Sequence, residues 1–174
     1  MLAGVALALT SQTEDWPRRV CWLASALLIL VRLLANMFDG MVAMASGRTS
    51  QVGELFNELP DRLSDAATLI GLGYATGGRP ELGYLAALAA VLVAYVRALG
   101  KSVGAPNVFA GPMAKQQRMA VVILTALVCA ALPDDWLDTA RLATWALVLC
   151  LAGSAVTMIH RLVLIVGHLK GPPT

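Results

Sequence analysis

The chain has 174 residues, of which 58% are hydrophobic and 14% charged, and its formal net charge is +2. A soluble domain of this length carries about 25% charged and roughly 45–50% apolar residues, so the composition excludes an ordinary soluble protein. The small net charge argues against a nucleic-acid partner. The mean hydropathy of +0.71 and the continuous apolar runs predict an all-α polytopic membrane protein rather than a barrel. We expect residues 1–174 to form a single integral membrane domain.

Six apolar segments predict a six-helix transmembrane bundle. The first segment, residues 1–10, is too short to cross about 30 Å of hydrocarbon, so we expect it to be a truncated first helix. It has no basic start and no small-residue cleavage site, which argues against a signal peptide. The other predicted spans cover about residues 20–45, 51–78, 80–99, 118–132 and 139–165.

The polar stretch 36–65 lies where the second predicted span meets the third, and it holds five of the eleven acidic residues. Helical periodicity places two sets of polar residues on one face each: Arg32, Asn36, Asp39 and Gly40 on the second helix, and Glu54, Asn57, Glu58, Asp61 and Asp65 on the third. Carboxylates beside a bilayer are costly and usually line a site or a watery cavity. We therefore expect the two faces to converge on one oxygen-rich pocket.

Such a pocket suits a hard divalent cation, because magnesium is typically bound by one or two carboxylates together with substrate phosphates. Basic residues flank the same stretch: Arg48, Arg62, Arg97, Lys101, Lys115 and Arg118. Carboxylates and cations together at a membrane surface predict a phosphate or pyrophosphate substrate held through a metal ion.

The distribution of basic residues predicts the orientation of the chain. Eight lie near span ends on the side of the polar stretch, namely Arg48, Arg62, Arg97, Lys101, Lys115, Arg118, Arg161 and Lys170. Four lie on the other side, namely Arg18, Arg19, Arg79 and Arg141. The positive-inside rule then predicts a protein of the cell (inner) membrane whose pocket faces the cytoplasm.

The polar stretch resembles the signature of the CDP-alcohol phosphotransferase family, D-x2-D-G-x2-A-R-x8-G-x3-D-x3-D. The eight signature positions read Asn36, Asp39, Gly40, Ala43, Met44, Gly53, Asn57 and Asp61, so five of the eight match at unbroken spacing. The later segment GPMAKQQR, residues 111–118, is also similar to the loop after the family's fourth span.

The resemblance implies a homodimer of six-span subunits with two divalent ions, Mg²⁺ or Mn²⁺, in a cytoplasmic pocket. It implies transfer of a phosphatidyl-type group from a CDP-linked lipid donor to a small polar or phosphate-bearing alcohol, with release of CMP, in phospholipid synthesis. By this resemblance Asp61 is the catalytic base and a metal ligand, and the remaining metal positions are Asn36, Asp39 and Asn57. Asp65 is added as a further ligand, and the residues expected to contact donor or phosphate are Gly40, Ala43, Gly53, Arg48, Lys115 and Arg118.

Three signature positions depart from the pattern. Asn36 and Asn57 replace the first and third aspartates, and Met44 replaces the arginine, so the four acidic positions supply −2 instead of −4. Asp65, Glu54 or Glu58 would restore charge from the same face, whereas the alternative for Asp65 is an ion pair with Arg32. A shifted register that uses Asp61 and Asp65 as the last pair loses the match at Gly53, and we prefer the unshifted one.

The departures leave a second function open. A diverged, non-catalytic family member would bind lipid or nucleotide, or would assemble with an active homologue. A small transporter or channel with an acidic pathway ranks last, because the carboxylates of the polar stretch cluster at one membrane face instead of following the spans.

Overall fold

The computed structural model describes residues 1–46, 51–132, 136 and 138–170, without the side chains of residues 43–46, 51–55, 57 and 76. Over these residues the chain is all-helical, which confirms the predicted all-α class. Six α-helices and one short 3-10 helix (Ala75–Gly77) follow in order: α1 Leu2–Leu9, α2 Asp15–Ser46, α3 Gln51–Tyr74, α4 Pro80–Ser102, α5 Lys115–Ala131 and α6 Thr139–Lys170.

The helices match the predicted segments but extend further at several ends. Helix α2 begins at Asp15, because Pro17 lies in its first turn, where a missing N–H costs little. Helix α6 continues to Lys170, since the sequence carries no proline until residue 172. Among the described residues, three stretches are long and apolar enough to cross a membrane: Asp15–Val42, Pro80–Ser102 and Thr139–Lys170.

The core lies where α2 packs against α5, α3 against α1 and α4, and α4 against α6. Its largest buried apolar side chains come from five helices: Leu7 of α1, Trp22 and Ile29 of α2, Leu69 and Leu72 of α3, Met119 and Val122 of α5, and Leu147 of α6. Helices α3 and α4 approach closely through Gly73 and Gly83, where an added Cβ on Gly83 would lie 3.0 Å from the Gly73 Cα. Small residues at such a crossing are typical of helices packed in membranes.

Arg161 of α6 fixes the segment 103–114, which connects α4 to α5. The side chain is 4% exposed. Its Nε donates to the Ala110 carbonyl at 2.9 Å and its Nη1 to the Val93 carbonyl at 3.0 Å. A longer contact of 3.4 Å joins Nη2 to the Phe109 carbonyl. One buried guanidinium therefore donates hydrogen bonds to carbonyls of α4 and of the connecting segment.

Near its end the same segment is held at Met113, whose backbone N–H and carbonyl both form hydrogen bonds with side chains. The Met113 N–H donates to Thr157 Oγ1 at 2.9 Å, and the Met113 carbonyl accepts from Arg118 Nη1 at 2.9 Å. Gly111 has φ +126° and lies against Thr157, so a side chain at this position would be strained and would also clash. These contacts set where α5 begins, at Lys115.

We expect Arg161→Met to loosen the segment 103–114. The substitution leaves buried carbonyls without their donor, and each such loss costs about 1–3 kcal/mol. The thermal midpoint of the detergent-purified protein should fall by several degrees, and protease should cut within residues 103–114 faster than in the unmodified protein. Arg141→Met is the matched control, because Arg141 is exposed and, among the described residues, pairs across its own turn with Asp138 at 3.6 Å. Equal midpoints and equal cleavage rates for the two variants would contradict the anchoring role.

Candidate functional site

The carboxylate of Asp61 is the point where α2, α3 and α5 meet. Its Oδ1 accepts from Asn36 Nδ2 at 2.7 Å and from Arg32 Nη2 at 3.1 Å, both on α2. Its Oδ2 forms an ion pair with the ammonium group of Lys115, the first residue of α5. Arg32 Nη2 also lies 3.1 Å from the Asp61 backbone carbonyl. The polar faces of α2 and α3 therefore converge on this carboxylate.

Asp65 lies one helical turn after Asp61 and is 2% exposed. Its Oδ1 pairs with Arg32 Nη2, so one guanidinium bridges Asp61 and Asp65. Its Oδ2 lies 3.9 Å from Arg62 Nη1, which is too far for a hydrogen bond. Within the described residues, Asp65 Oδ2 and Arg32 Nη1 are buried without a hydrogen-bond partner. Of the two expectations for Asp65, the ion pair with Arg32 is present.

Glu58, one turn before Asp61 on the N-terminal side, holds two further cations. Its Oε1 accepts from Arg62 Nε at 3.1 Å and from Arg97 Nη2 at 2.5 Å. The Arg97 guanidinium carbon also lies 5.1 Å from the ring centroid of Phe109, which is within the range of a cation–π contact. These contacts fix Arg97 of α4 beside α3.

A polar cleft of about 170 Å³ opens between α3, α4, α5 and α6. Five cations and two carboxylates line it: Arg62, Arg97, Lys115, Arg118 and Arg161, with Glu58 and Asp61. The first residues of α5 also reach its wall, and the N-terminus of a helix attracts anions. The lining therefore favours a multiply negative ligand.

A second, largely apolar groove of about 540 Å³ lies on the other side of Asp61. Its walls come from α2 and α3 and from Met1, and they include Arg32, Asn36, Phe56, Leu59, Pro60, Asp61, Leu63 and Ser64. Asp61 lines both this apolar groove and the polar cleft. One carboxylate is thus in reach of an apolar ligand on one side and of an anionic ligand on the other.

The structure brings together some of the predicted site residues and leaves others apart. Asn36, Asp61, Asp65 and Lys115 share one network, and Arg118 lies in the cleft with only 1% of its side chain exposed. Asp39 is exposed on α2, one turn after Asn36, and Gly40 faces open space. Arg48 lies outside the described residues, as do the side chains of Ala43 and Asn57 and the surroundings of Gly53.

Sequence reasoning placed Arg32 on the polar face of α2 and named it as an alternative partner of Asp65, but it did not predict the contact with Asp61. A signal was present, because Arg32 is the only charged residue between Val20 and Phe38, and a charge within an apolar run needs a partner. Arg161 was counted only for the orientation of the chain, although it lines the cleft. The position of Phe109 under Arg97 had no signal in the sequence, because it depends on how the segment 103–114 folds back.

Comparison with curated proteins identifies relatives over most of the chain. An archaetidylinositol phosphate synthase of Aeropyrum pernix is 36% identical over 151 residues, which are 84% of this chain and 72% of that protein. A phosphatidylinositol phosphate synthase of Streptomyces avermitilis is 29% identical over 93% of this chain and 68% of its own length. The inner membrane protein YnbA of Escherichia coli is 24% identical over 79% of this chain and 65% of its own length.

Comparison with solved structures identifies the same architecture. The crystal structure of Mycobacterium tuberculosis phosphatidylinositol phosphate synthase with CDP-DAG bound aligns with a TM-score of 0.68 at 20% identity. The alignment covers 94% of this chain and 82% of that one. No protein-family model matches the sequence. The identity and coverage of the Aeropyrum relative confirm the resemblance seen at residues 36–61. The chain therefore belongs to the CDP-alcohol phosphotransferase family, membrane transferases of phospholipid synthesis that move a substituted phosphate group from a CDP-linked donor to an alcohol.

Proposed function

We propose that this chain transfers the phosphatidyl-type group of a CDP-linked lipid to an alcohol that itself carries a phosphate, with release of CMP. The observation that carries the proposal is the position of Asp61, which lines both the apolar groove and the cationic cleft. A transferase that joins a lipid to a polar acceptor needs these two environments to meet at one reacting point. Two of the relatives, from Aeropyrum pernix and Streptomyces avermitilis, are inositol phosphate synthases, which is consistent with this acceptor class.

The acceptor phosphate is proposed to bind in the polar cleft. Arg97 of α4 and the α5 residues Lys115 and Arg118 line this cleft. Arg161 also lines it, but its guanidinium donates hydrogen bonds to backbone carbonyls and so stabilises the wall of the cleft. Guanidinium groups bind phosphate through paired hydrogen bonds. The volume of about 170 Å³ suits a small polar molecule better than a second lipid.

The proposed reaction is an in-line displacement at the lipid-side phosphorus of the donor. The acceptor hydroxyl oxygen bonds to this phosphorus, and the hydroxyl proton passes to Asp61. The bond between the phosphorus and the oxygen that bridges to CMP breaks, so CMP leaves with that oxygen. Lys115 and Arg32 hold the Asp61 carboxylate in place from opposite sides.

The donor pyrophosphate is proposed to lie near the end of α2, where Gly40 leaves open space. Among the described residues no three His, Cys, Asp or Glu side chains lie close enough to hold a metal ion by themselves. The donor set still fits one divalent ion, Mg²⁺ or Mn²⁺, because such ions accept one or two protein oxygens together with substrate phosphates. Asp39 and the Asn36 amide would hold it, and the bound ion would neutralise charge on the pyrophosphate.

We further propose that the chain works as a homodimer of six-span subunits, each a single integral membrane domain over residues 1–174, in the cell (inner) membrane, with the cleft open to the cytoplasm. The resemblance to the family and the excess of basic residues on the cleft side support this arrangement. The many exposed leucine and valine side chains on the helices, such as Leu27, Val31, Leu88 and Val163, suit lipid or a second subunit.

The proposed transfer predicts release of CMP when the purified protein receives CDP-DAG, inositol phosphate and Mn²⁺. Asp61→Asn should reduce this rate by about 100-fold or more, because a general base contributes roughly 10²–10⁴-fold. Glu81→Gln is the matched control, since Glu81 is exposed at the start of α4 and should leave the rate unchanged. Full activity in Asp61→Asn would remove the proposed base. Absence of CMP release in the unmodified protein would favour the non-catalytic alternative.

The proposed acceptor site predicts that Arg97→Gln raises the KM for inositol phosphate by about 10–100-fold, as expected when one charged hydrogen bond of about 1.5–3 kcal/mol is lost. Glu58 keeps Arg62 as a partner in this variant, so the fold should persist. Arg79→Gln is the matched control, because Arg79 is exposed and lies at the opposite end of α4. An unchanged KM for inositol phosphate in Arg97→Gln would exclude Arg97 as a phosphate ligand.

A further inference from the structure

We infer that the Arg32 guanidinium stands in for one of the two divalent ions implied by the family resemblance, so that each chain binds a single divalent ion. The inference rests on the proposed function, because it concerns the same site. It makes Arg32 a positioning residue, since it acts through Asp61 and Asp65.

The first support is the occupancy of Asp61. A carboxylate offers about four lone-pair positions for hydrogen bonds or metal coordination. Three are used, by Asn36 and Arg32 on Oδ1 and by Lys115 on Oδ2. About one position is left, which suffices for the hydroxyl of an acceptor but not for a hydroxyl and a metal ion together. In this arrangement Asp61 does not act as a metal ligand.

The second support is the charge of the network. Asp61 and Asp65 together carry −2, and Arg32 and Lys115, which contact them, carry +2. Only Asp39 then remains with an unbalanced negative charge among the described signature residues. Two divalent ions would bring +4 into a site of low dielectric constant that holds little compensating charge. Before the donor binds, one ion together with Asp39 leaves a net charge of +1, whereas two ions leave +3.

The third support is the identity of the residue at position 36. Asn36 donates an N–H to Asp61 Oδ1 at 2.7 Å, which an ionised aspartate at the same position could not do. Two carboxylates at this distance repel and need a cation between them. Because the Asn36 amide is neutral and donates this hydrogen bond, no cation is needed between positions 36 and 61. Arg32, one turn earlier on the same helix, supplies the positive charge beside Asp61.

The inference predicts the number of Mn²⁺ ions bound per chain, measured without turnover. The full-length protein in detergent is mixed with CDP-DAG and titrated with Mn²⁺, and the free ion is counted from its electron paramagnetic resonance signal. The unmodified protein should bind one ion. Arg32→Gln should bind two, because Asp61 and Asp65 lose their guanidinium and become available, whereas Arg32→Lys keeps the charge and should bind one. Arg141→Gln, at an exposed position, is the control and should also bind one.

Several outcomes would overturn the inference. These are a count other than one in the unmodified protein, or a count of one in a soluble, folded Arg32→Gln. If Arg32→Gln does not fold, the double variant Arg32→Gln with Asp65→Asn decides, because it leaves no unpaired buried carboxylate at position 65 and still removes the guanidinium from Asp61. It should bind two ions, and a count of one then overturns the inference. Two ions together with CMP release would leave the proposed function standing, whereas one ion without CMP release would remove the proposed function alone.

Discussion

The structure depends on one charged contact inside an apolar environment, the bridge from Arg32 to Asp61 and Asp65. Arg32 lies within the apolar span Asp15–Val42 of α2, where an unpaired cation would be costly. Asp65, buried to 2% exposure, would be equally costly without its partner. Because each group needs the other, the bridge fixes how far α2 and α3 are shifted along each other. That shift is what brings Asn36 to Asp61.

The same carboxylate ties the site to the opposite half of the fold. Asp61 pairs with Lys115, whose position is set by the segment 103–114. That segment is held by Arg161 and Thr157, both on α6. A change in α6 therefore reaches the Asp61 carboxylate through two polar anchors and the start of α5. The partition between the apolar groove and the cationic cleft results from these contacts, since Asp61 forms the boundary of both.

Much of the fold could be predicted from the sequence, because apolar runs of membrane length leave few alternatives to helices. The polar faces of α2 and α3 followed from helical periodicity, and the spacing of residues 36–61 indicated the family. The contacts within the site were harder to predict, since they depend on chain segments that are distant in sequence. Asp61 and Lys115 are 54 residues apart, and Arg161 reaches back 68 residues to Val93. The count of basic residues that predicted the orientation of the chain combined two effects. Five of the residues counted on the cytoplasmic side also line the cleft, namely Arg62, Arg97, Lys115, Arg118 and Arg161.

The departures from the family signature and the cation Arg32 on α2 both affect the same charge balance at Asp61. A site with four carboxylates is stable only with strong positive charge among them, and divalent ions provide it. Here two of the four positions are amides, which contribute no charge, and at position 36 the amide donates to the neighbouring carboxylate. The charges of Asp61 and of the neighbouring Asp65 are met by a guanidinium and an ammonium from the chain itself. Restoring one aspartate while Arg32 stays would create competition for the same cation, so the substitutions and Arg32 depend on each other physically.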